Sequence, residues 1–340
     1  MFEEEWNIDA RLYPARGFLT EQLAFAAQYA RLAPSNHNSQ PWTFRIEGNS
    51  VTVRADRTRA LAFIDPDDRQ LAISCGAALF HLRVALAHFG HEVSVDLTPD
   101  KNDPEVLAII WSVGKAEPTG ENERLFNAIM RRHTNRGRFA DRELPPALVA
   151  EFGEIARRAR TWLLVAQGMQ KEAVASLIGE ADRIQMADPR FRRELASWIH
   201  PDRAESGDGM PAYAQRLSDL RNSNASLSLR TFDTSDYRAA KNHELAAGSP
   251  LLVVIGTESD TEPDWVGAGQ ALDHVLLRAA AEGIAASFLN QPIEVPDLRL
   301  RVEEVVGRPN PQLILRLGYA SEAPLTPRRS YYSVIRRKNG

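Results

Sequence analysis

The chain of 340 residues contains an internal repeat, and this repeat restricts the possible folds more than any other feature of the sequence. Residues 75–93 align with residues 268–286 at a constant offset of 193. The matching pairs are Gly76 with Gly269, Ala78 with Ala271, Leu79 with Leu272, His81 with His274, Ala87 with Ala280 and Gly90 with Gly283. Two copies of so long a unit predict two similar halves in one chain, because arrays of short repeats need several copies to bury a core.

Each copy of the repeat predicts a long helix that is followed by strands. The first helix covers roughly residues 70–89 and ends at Gly90, because glycine readily takes the left-handed conformation that follows a helix. Alternating apolar residues predict strands at residues 92–97 and 106–113. A second match follows each helix, between residues 109–116 and residues 313–320. Two matches in the same order favour a true repeat over chance.

Hydrophobic periodicity and turn residues predict the remaining elements. Helices are expected at residues 21–32, near 123, from 146, at 171–186 and at 190–198. Strands are expected in a hairpin at residues 45–54, at 162–166 and, as a buried apolar run, at 251–256. The polar residues 200–221 have no counterpart in the first half. Their glycines and prolines indicate a loop, which is either a lid or a plain surface excursion.

The composition excludes several classes of function. Apolar residues make up 44% of the chain and charged residues 25%, as in ordinary soluble globular proteins. A formal net charge of −4 gives no reason to expect nucleic acid or an anionic membrane as a partner. The single cysteine, Cys75, excludes an intramolecular disulfide and a cysteine-rich metal site. Since the first five residues are acidic where a signal peptide is basic, we expect a cytoplasmic protein.

A polar loop follows the predicted helix at residues 21–32. It reads Ala33-Pro34-Ser35-Asn36-His37-Asn38-Ser39-Gln40-Pro41-Trp42. Pro34 is expected to end the helix, because the residue before a proline avoids helical dihedral angles. Taken alone, such a loop more often forms a helix cap and a tight turn than a ligand site. Surface loops held between regular elements nevertheless bind ligands well.

A basic segment opens the second half. Arg132, Thr134 and Arg136 place two guanidinium groups and a hydroxyl on one short stretch. Guanidinium forks match phosphate oxygens, and a hydroxyl can add a further hydrogen bond. Arginines at the end of a helix also occur simply as a solvated face that stabilises the helix dipole. This segment alone therefore leaves both interpretations open.

Together, the two motifs resemble the signatures of the nitroreductase family. The loop matches the pattern A-P-S-x-x-N-x-Q-P-W-x-F at every defined position. The basic segment is similar to R-[RH]-[ST]-x-[RK]-x-F but has one additional residue before Phe139. The resemblance implies the α+β nitroreductase fold, in which central helices pack on antiparallel sheets. It also implies bound FMN, with NAD(P)H as the reductant.

The distribution of the motifs indicates how many sites the chain holds. A typical nitroreductase is a homodimer in which one subunit supplies the basic motif and the other supplies the loop. Here the loop occurs only in the first half and the basic motif only in the second. The two halves would therefore mimic the homodimer, with one complete FMN site per chain. This arrangement resembles the single-chain tandem branch that includes the Acg-type proteins.

The resemblance implies a set of cofactor-binding residues. They are Pro34, Ser35, Asn36, Asn38, Gln40, Arg132, Thr134, Arg136, Asn290, Gln291, Arg328 and Arg329. Asn290 and Gln291 fall where the family places an amide facing flavin N5, and the last two arginines resemble residues that close over the phosphate. No side chain is expected to act as nucleophile or acid–base catalyst, because the flavin carries the chemistry. No histidine spacing suggests a metal ion.

The sequence thus predicts an N-terminal half at residues 1–122 and a C-terminal half at residues 123–340, with a lid-like insertion at about 200–221.

The predicted activity is hydride transfer from NAD(P)H through FMN to a nitroaromatic or quinone-like acceptor. A flavin-free or flavin-sequestering protein, whose lid closes the pocket, is the alternative. Flavin chemistry of another kind, such as dehalogenation, is a third possibility. The only expected partner is a small-molecule electron acceptor, and the chain is expected to be a monomer or a homodimer.

Overall fold

A computed structural model describes residues 3–98, 100, 102–200, 207–211 and 234–337. Its helices are α1 (Glu3–Trp6), α2 (Leu19–Ala30), α3 (Arg69–His88), α4 (Gly120–Ile129), α5 (Pro146–Arg158), α6 (Gly168–Ala187), α7 (Pro189–Ser197), α8 (Ser235–Ala247), α9 (Glu262–Ala281), α10 (Pro296–Val306) and α11 (Tyr331–Val334). Its strands are β1 (Trp42–Glu47), β2 (Ser50–Ala55), β3 (His91–Leu97), β4 (Val106–Lys115), β5 (Thr161–Ala166), β6 (Ile199–His200), β7 (Met210–Pro211), β8 (Leu251–Thr257), β9 (Ala285–Phe288), β10 (Pro311–Gly318) and β11 (Ile335–Arg337). Most of the predicted insertion at 200–221 lies outside the described residues.

The internal repeat corresponds to a pair of central helices. Helices α3 and α9 each have 20 residues, and their bounds differ by the offset found in the sequence. Each helix is followed by an antiparallel pair of strands, β3 with β4 and β9 with β10. The prediction of an α+β fold built from two related halves is confirmed.

The two central helices cross in very close contact at a pair of glycines. A Cβ atom added to Gly269 would lie 2.0 Å from the carbonyl oxygen of Ile73. One added to Gly76 would lie 2.2 Å from the carbonyl oxygen of Val266. Only glycine permits this approach, because every other residue would push one backbone into the other.

Two main sheets flank the central helices. The first has the strand order β11-β1-β2-β4-β3, and the second has the order β5-β8-β10-β9. Their pairs are antiparallel except that β11 runs parallel to β1, with Ile335 opposite Phe44. The C-terminal strand therefore completes the sheet of the first half. The predicted boundary between the two halves, at residues 122/123, falls inside α4 and stays a prediction.

The second sheet is covered on both faces. Strand β8 is buried along its whole length, as its apolar run predicted. Val253 and Ile255 pack with residues of α5 and α9, while Leu252 and Val254 pack with residues of α6 and α10. Burying one such side chain stabilises the fold by about 1.5–3 kcal/mol. This packing fixes the sheet edge from which β9 leads into the candidate site.

Helix α3 is long and apolar enough to cross a membrane by length and composition alone. However, 78% of its apolar window is buried inside the protein. A helix that is apolar all round is expected wherever other elements surround it. Here α2, α4, α9 and the first sheet surround α3, and this accounts for its composition.

Candidate cofactor-binding site

The loop between α2 and β1 adopts a distinctive backbone conformation. His37, Asn38 and Gln40 have φ angles of 52°, 55° and 51°, in the left-handed region that non-glycine residues seldom adopt. The loop is held by a hydrogen bond of 2.9 Å from the Gln40 backbone amide to Ser35 Oγ. It is also held by Asn38, whose Nδ2 donates to the carbonyl oxygens of Gly209 and Pro327 at 2.9 and 3.0 Å. Strain that the surroundings maintain in this way is concentrated at functional sites in proteins.

A cavity of about 180 Å³ lies against this loop. Seven of the predicted residues line it, namely Pro34, Ser35, Asn36, Thr134, Arg136, Asn290 and Gln291. They come from the loop before β1, from the basic segment and from the turn after β9. Thr134 reaches the cavity because its segment lies beside β9, where the Asn135 amide donates to the carbonyl oxygen of Ala286 at 2.9 Å. The rest of the wall combines apolar residues, among them Ile73, Leu272, Phe288 and Leu313, with polar and charged ones.

Three buried arginines lie close together beside the loop, and two of them share one acceptor. Arg132 and Arg328 both donate through Nη2 to the carbonyl oxygen of Leu32, at 3.3 and 3.2 Å. Arg31 lies near them and forms an ion pair of 2.7 Å with Glu5. Among the described residues, no carboxylate lies within ion-pair distance of Arg132 or Arg328, and the Nε atoms of both are unpaired. Burial and, for Arg328, the neighbouring guanidinium groups lower the pKa values of these two arginines.

Burying the charges of Arg132 and Arg328 costs free energy unless a ligand compensates for the lost hydration. Arg132 and Arg328 are only 4% and 3% exposed. Taking a charge out of water costs several kcal/mol unless an opposite charge or hydrogen bonds replace the lost hydration. A backbone carbonyl shared by two guanidinium groups replaces only part of it. The cluster is therefore suited to bind an anion.

The other predicted residues lie outside the cavity wall and form a hydrogen-bonded network. Arg328 Nη1 donates to Asn38 Oδ1 at 3.0 Å, and the Arg329 amide donates to Gln40 Oε1 at 2.8 Å. Gln40 Nε2 also donates to the carbonyl oxygen of Gly207 at 2.8 Å. In this conformation the four side chains fasten the C-terminal segment to the loop. Their role in binding a cofactor stays a prediction.

His37 presents a neutral nitrogen toward the cavity. Asn36 Nδ2 donates to Gln70 Oε1 at 2.6 Å, so Asn36 Oδ1 is left to accept from His37 Nδ1 at 2.7 Å. Nε2 then carries a lone pair, and it has no partner among the described residues. Burial, together with the nearby charges of Arg136 and Arg238, lowers the pKa of His37 to about 3. His37 can therefore accept a hydrogen bond but cannot serve as an acid near neutral pH.

Sequence reasoning missed three charged residues that line the cavity, Asp182, Arg238 and Glu294. Glu294 accepts from Gln185 Nε2 at 2.7 Å and from Gln70 Nε2 at 3.1 Å, and burial raises its pKa. Asp182 lies among the buried apolar residues of α6. A charged residue on an apolar helix face is a signal that could have pointed to it. Arg238 and Glu294 carried no comparable signal.

His133 should make the stability of the fold depend on pH. Burial and the charges of Arg132 and Arg328 lower its pKa to about 3, against about 6.5 in an unfolded chain. A depressed pKa gives stability that is complete above pH 6.5 and is lost as the pH falls toward 3. Between pH 7.5 and 5, we expect His133 to account for a loss on the order of 1 kcal/mol of unfolding free energy.

This expectation is checked by urea unfolding at pH 7.5 and pH 5. The loss between the two pH values should shrink in His133→Gln. The control is His243→Gln, since His243 is more exposed and pairs with Glu172 on the surface. An undiminished pH effect in His133→Gln would contradict the assignment.

The sequence has extensive relatives among known proteins. It is 32% identical over 309 residues to a Mycobacterium tuberculosis protein provisionally named NAD(P)H nitroreductase Rv3131, covering 89% of this chain and 88% of the relative. It is 30% identical over 328 residues to the provisionally named NAD(P)H nitroreductase Acg of the same species, covering 91% and 94%. No protein-family model matches the chain.

Solved structures of similar proteins were also found. The FMN and NADPH-dependent nitroreductase NfnB from Sphigopyxis sp. strain HMH is 22% identical with a TM-score of 0.43, covering 64% of this chain and 99% of that one. Mycobacterium smegmatis NfnB, solved in complex with NADPH, is 20% identical with a TM-score of 0.36, covering 59% and 88%. Because these TM-scores are low, family membership rests on the sequence relatives.

The fold and the long sequence matches define the class of protein: the chain belongs to the nitroreductase family. Within that family, the matches to Rv3131 and Acg over about nine tenths of the chain place it on the Acg-like branch.

Proposed function

We propose that this protein is an FMN-dependent oxidoreductase that uses NAD(P)H to reduce a nitroaromatic or quinone-like acceptor. The observation that carries the proposal is a cavity lined by residues of both family motifs, together with the buried arginines Arg132 and Arg328, which meet at the carbonyl oxygen of Leu32 directly before the loop. An un-neutralised arginine pair favours an anionic ligand such as a phosphate ester. The relatives named as nitroreductases support the same activity.

The residues present fit a flavin mononucleotide in chemical type. Arg132, with Arg328, would hold the phosphate, because guanidinium forks bind phosphate oxygens bidentately. Thr134 and Arg136 would hydrogen-bond the polar chain and the ring edge. Gln291 offers a buried side-chain oxygen, Oε1, that has no partner among the described residues and could accept from a ring N–H.

The size of the cavity sets a condition on binding. At about 180 Å³ it is smaller than the roughly 300–1,000 Å³ of most ligand sites. Binding FMN therefore requires polar side chains along the wall to move. Arg328 and Asn38 would have to give up their mutual hydrogen bond of 3.0 Å if Arg328 is to reach a phosphate.

When bound, the flavin would supply the redox chemistry by accepting a hydride from NAD(P)H and passing it on. The chain's own part is to position the reactants and to exclude water. Ile73, Leu272 and Phe288 give the cavity an apolar wall against which an aromatic acceptor can lie. Neutral His37 Nε2 can accept a hydrogen bond from a ligand without gaining a proton. With NAD(P)H as reductant, the proposed location is the cytoplasm.

The test is anaerobic reduction of the FMN-loaded protein. NADPH or NADH should bleach the flavin absorbance, and a quinone or nitrobenzene should restore it. Tight FMN binding without reduction by either nucleotide would overturn the proposed oxidoreductase activity and would favour a flavin-sequestering protein. A chain that binds no FMN would overturn the site itself. Light scattering on the loaded protein would show whether the fused halves act as a monomer or pair again.

A further inference from the structure

Helix α8 contributes an arginine to the cavity that belongs to neither family motif. Arg238 lines the cavity and carries a pKa that burial lowers from its ordinary value. Among the described residues its guanidinium group has neither a hydrogen bond nor an ion pair, although the charge of Asp182 acts on it from a distance. A positive group thus faces the cavity without a direct partner.

The carboxylates of the cavity are already satisfied by neutral amides. Asp182 accepts from Asn242 Nδ2 at 2.8 Å and from Gln291 Nε2 at 3.4 Å. Glu294 accepts from the amides of Gln70 and Gln185. Burial raises the pKa of both carboxyl groups, and neither carboxylate lies within ion-pair distance of Arg238. Neither therefore neutralises Arg238 directly.

A second arginine and a histidine lie close to Arg238. The charge of Arg238 lowers the pKa of Arg136, and the charges of both arginines lower the pKa of His37. These three side chains therefore surround one space. Phe191, Leu195 and Leu272 add apolar side chains to the same wall. One cavity wall thus presents both cationic and apolar side chains to a ligand.

From this geometry we infer that the electron acceptor is an anionic aromatic molecule, and that Arg238 binds its carboxylate, sulfonate or phosphate group. The inference rests on the proposed function, because it names the substrate class of the same site. Arg238 would act as a specificity residue. It would select anionic acceptors over neutral ones of the same shape, because a charge-assisted hydrogen bond is stronger than a neutral one.

The test separates charge from shape and does not depend on turnover. Benzenesulfonate and benzenesulfonamide are probes of nearly equal size, and only the first is charged. Their binding to the full-length, flavin-free chain would be measured by ligand-observed NMR in wild type, Arg238→Ala and Arg238→Lys. Arg183→Ala is the matched control. Arg183 pairs with Asp236 on the surface, so this substitution removes the same charge outside the cavity.

We expect wild type to prefer the sulfonate, and Arg238→Ala to weaken sulfonate binding by about 10-fold or more. Sulfonamide binding should change less than about twofold in the same variant, since it makes no charge-assisted bond. Arg238→Lys should restore part of the preference, and Arg183→Ala should leave it intact. Equal binding of both probes to wild type, or equal losses in Arg238→Ala, would overturn the inference.

A second arm uses the FMN-loaded protein with 4-nitrobenzenesulfonate and 4-nitrobenzenesulfonamide as acceptors. The ratio of their kcat/KM values should fall in Arg238→Ala, while FMN affinity and the NADPH/NADH ratio in flavin reduction stay unchanged. A change confined to FMN affinity, or to the preference for NADPH, would overturn the inference by assigning Arg238 to a cofactor phosphate. If the chain selects the sulfonate but its flavin is never reduced, the proposed oxidoreductase activity is refuted, while the role of Arg238 in binding anions stands.

Discussion

Replacing Arg132 by methionine is expected to stabilise the flavin-free protein while weakening FMN binding by about 100-fold or more. Arg132 is 4% exposed and has no ion-pair partner among the described residues. Removing its charge should raise the unfolding free energy by an amount on the order of 1 kcal/mol, as often follows when buried charges become apolar. The carbonyl oxygen of Leu32 stays satisfied, because Arg328 Nη2 still donates to it at 3.2 Å.

The same substitution removes two hydrogen bonds from the fork that would hold the phosphate. Each charge-assisted bond contributes about 1.5–3 kcal/mol, and every 1.4 kcal/mol is about tenfold in affinity. Differential scanning calorimetry of the flavin-free protein and quenching of FMN fluorescence measure the two effects. The opposite signs of these effects are what distinguish a ligand site from a structural arginine.

Arg31→Met is the matched control, because Arg31 belongs to the same cluster but is neutralised. Its Nη1 donates to Glu5 Oε2 at 2.7 Å and to the carbonyl oxygen of Arg329 at 3.1 Å. Losing these bonds should lower the melting temperature. A lower melting temperature in Arg132→Met with unchanged FMN affinity would show that Arg132 serves the fold and not the ligand.

Replacing Gly269 by alanine is expected to destabilise the protein by about 3 kcal/mol or more, against the usual preference of helices for alanine. The added Cβ would lie 2.0 Å from the Ile73 carbonyl oxygen and 2.9 Å from the Cα of Gly76. Both neighbours are backbone atoms of α3, so the helices must separate. Since Ile73 and Leu272 also line the cavity, FMN binding should weaken as well.

Gly153→Ala on helix α5 provides the control for this prediction. No atom lies within 4 Å of the Cβ that it would add. It should stabilise the protein by up to about 1 kcal/mol, because alanine is the better helix former. Chemical unfolding of both variants measures the difference. A Gly269→Ala variant as stable as wild type would contradict the close helix crossing.

The sequence was most informative where local signals and the fold agree. The repeat predicted α3 and α9 because an apolar helix closed by a glycine has the same signature in both halves, and Gly90 and Gly283 do have φ angles of 77° and 71°. The run at 251–256 predicted a strand buried on both faces. Thr134 and Arg136 line the cavity because residues two apart on an extended segment point the same way.

Contacts between distant segments could not be predicted in this way. Strand β11 completes the sheet of the first half, and nothing in its three residues indicates a parallel partner nearly 300 positions earlier. Arg328 and Arg329 bond to Asn38 and Gln40 because the C-terminal segment returns to the loop. Arg238 reaches the cavity from α8, outside both motifs. Tertiary packing alone decides these positions.

The central claim is that one chain holds one complete flavin site, built from the loop of the first half and the basic segment of the second. The measurement that tests it most directly is the visible absorption spectrum of the protein after excess FMN is added and unbound FMN is removed by desalting. The account predicts flavin bands that correspond to one FMN per chain. Two equivalents would show that both halves keep a site, and a colourless protein would show that neither does.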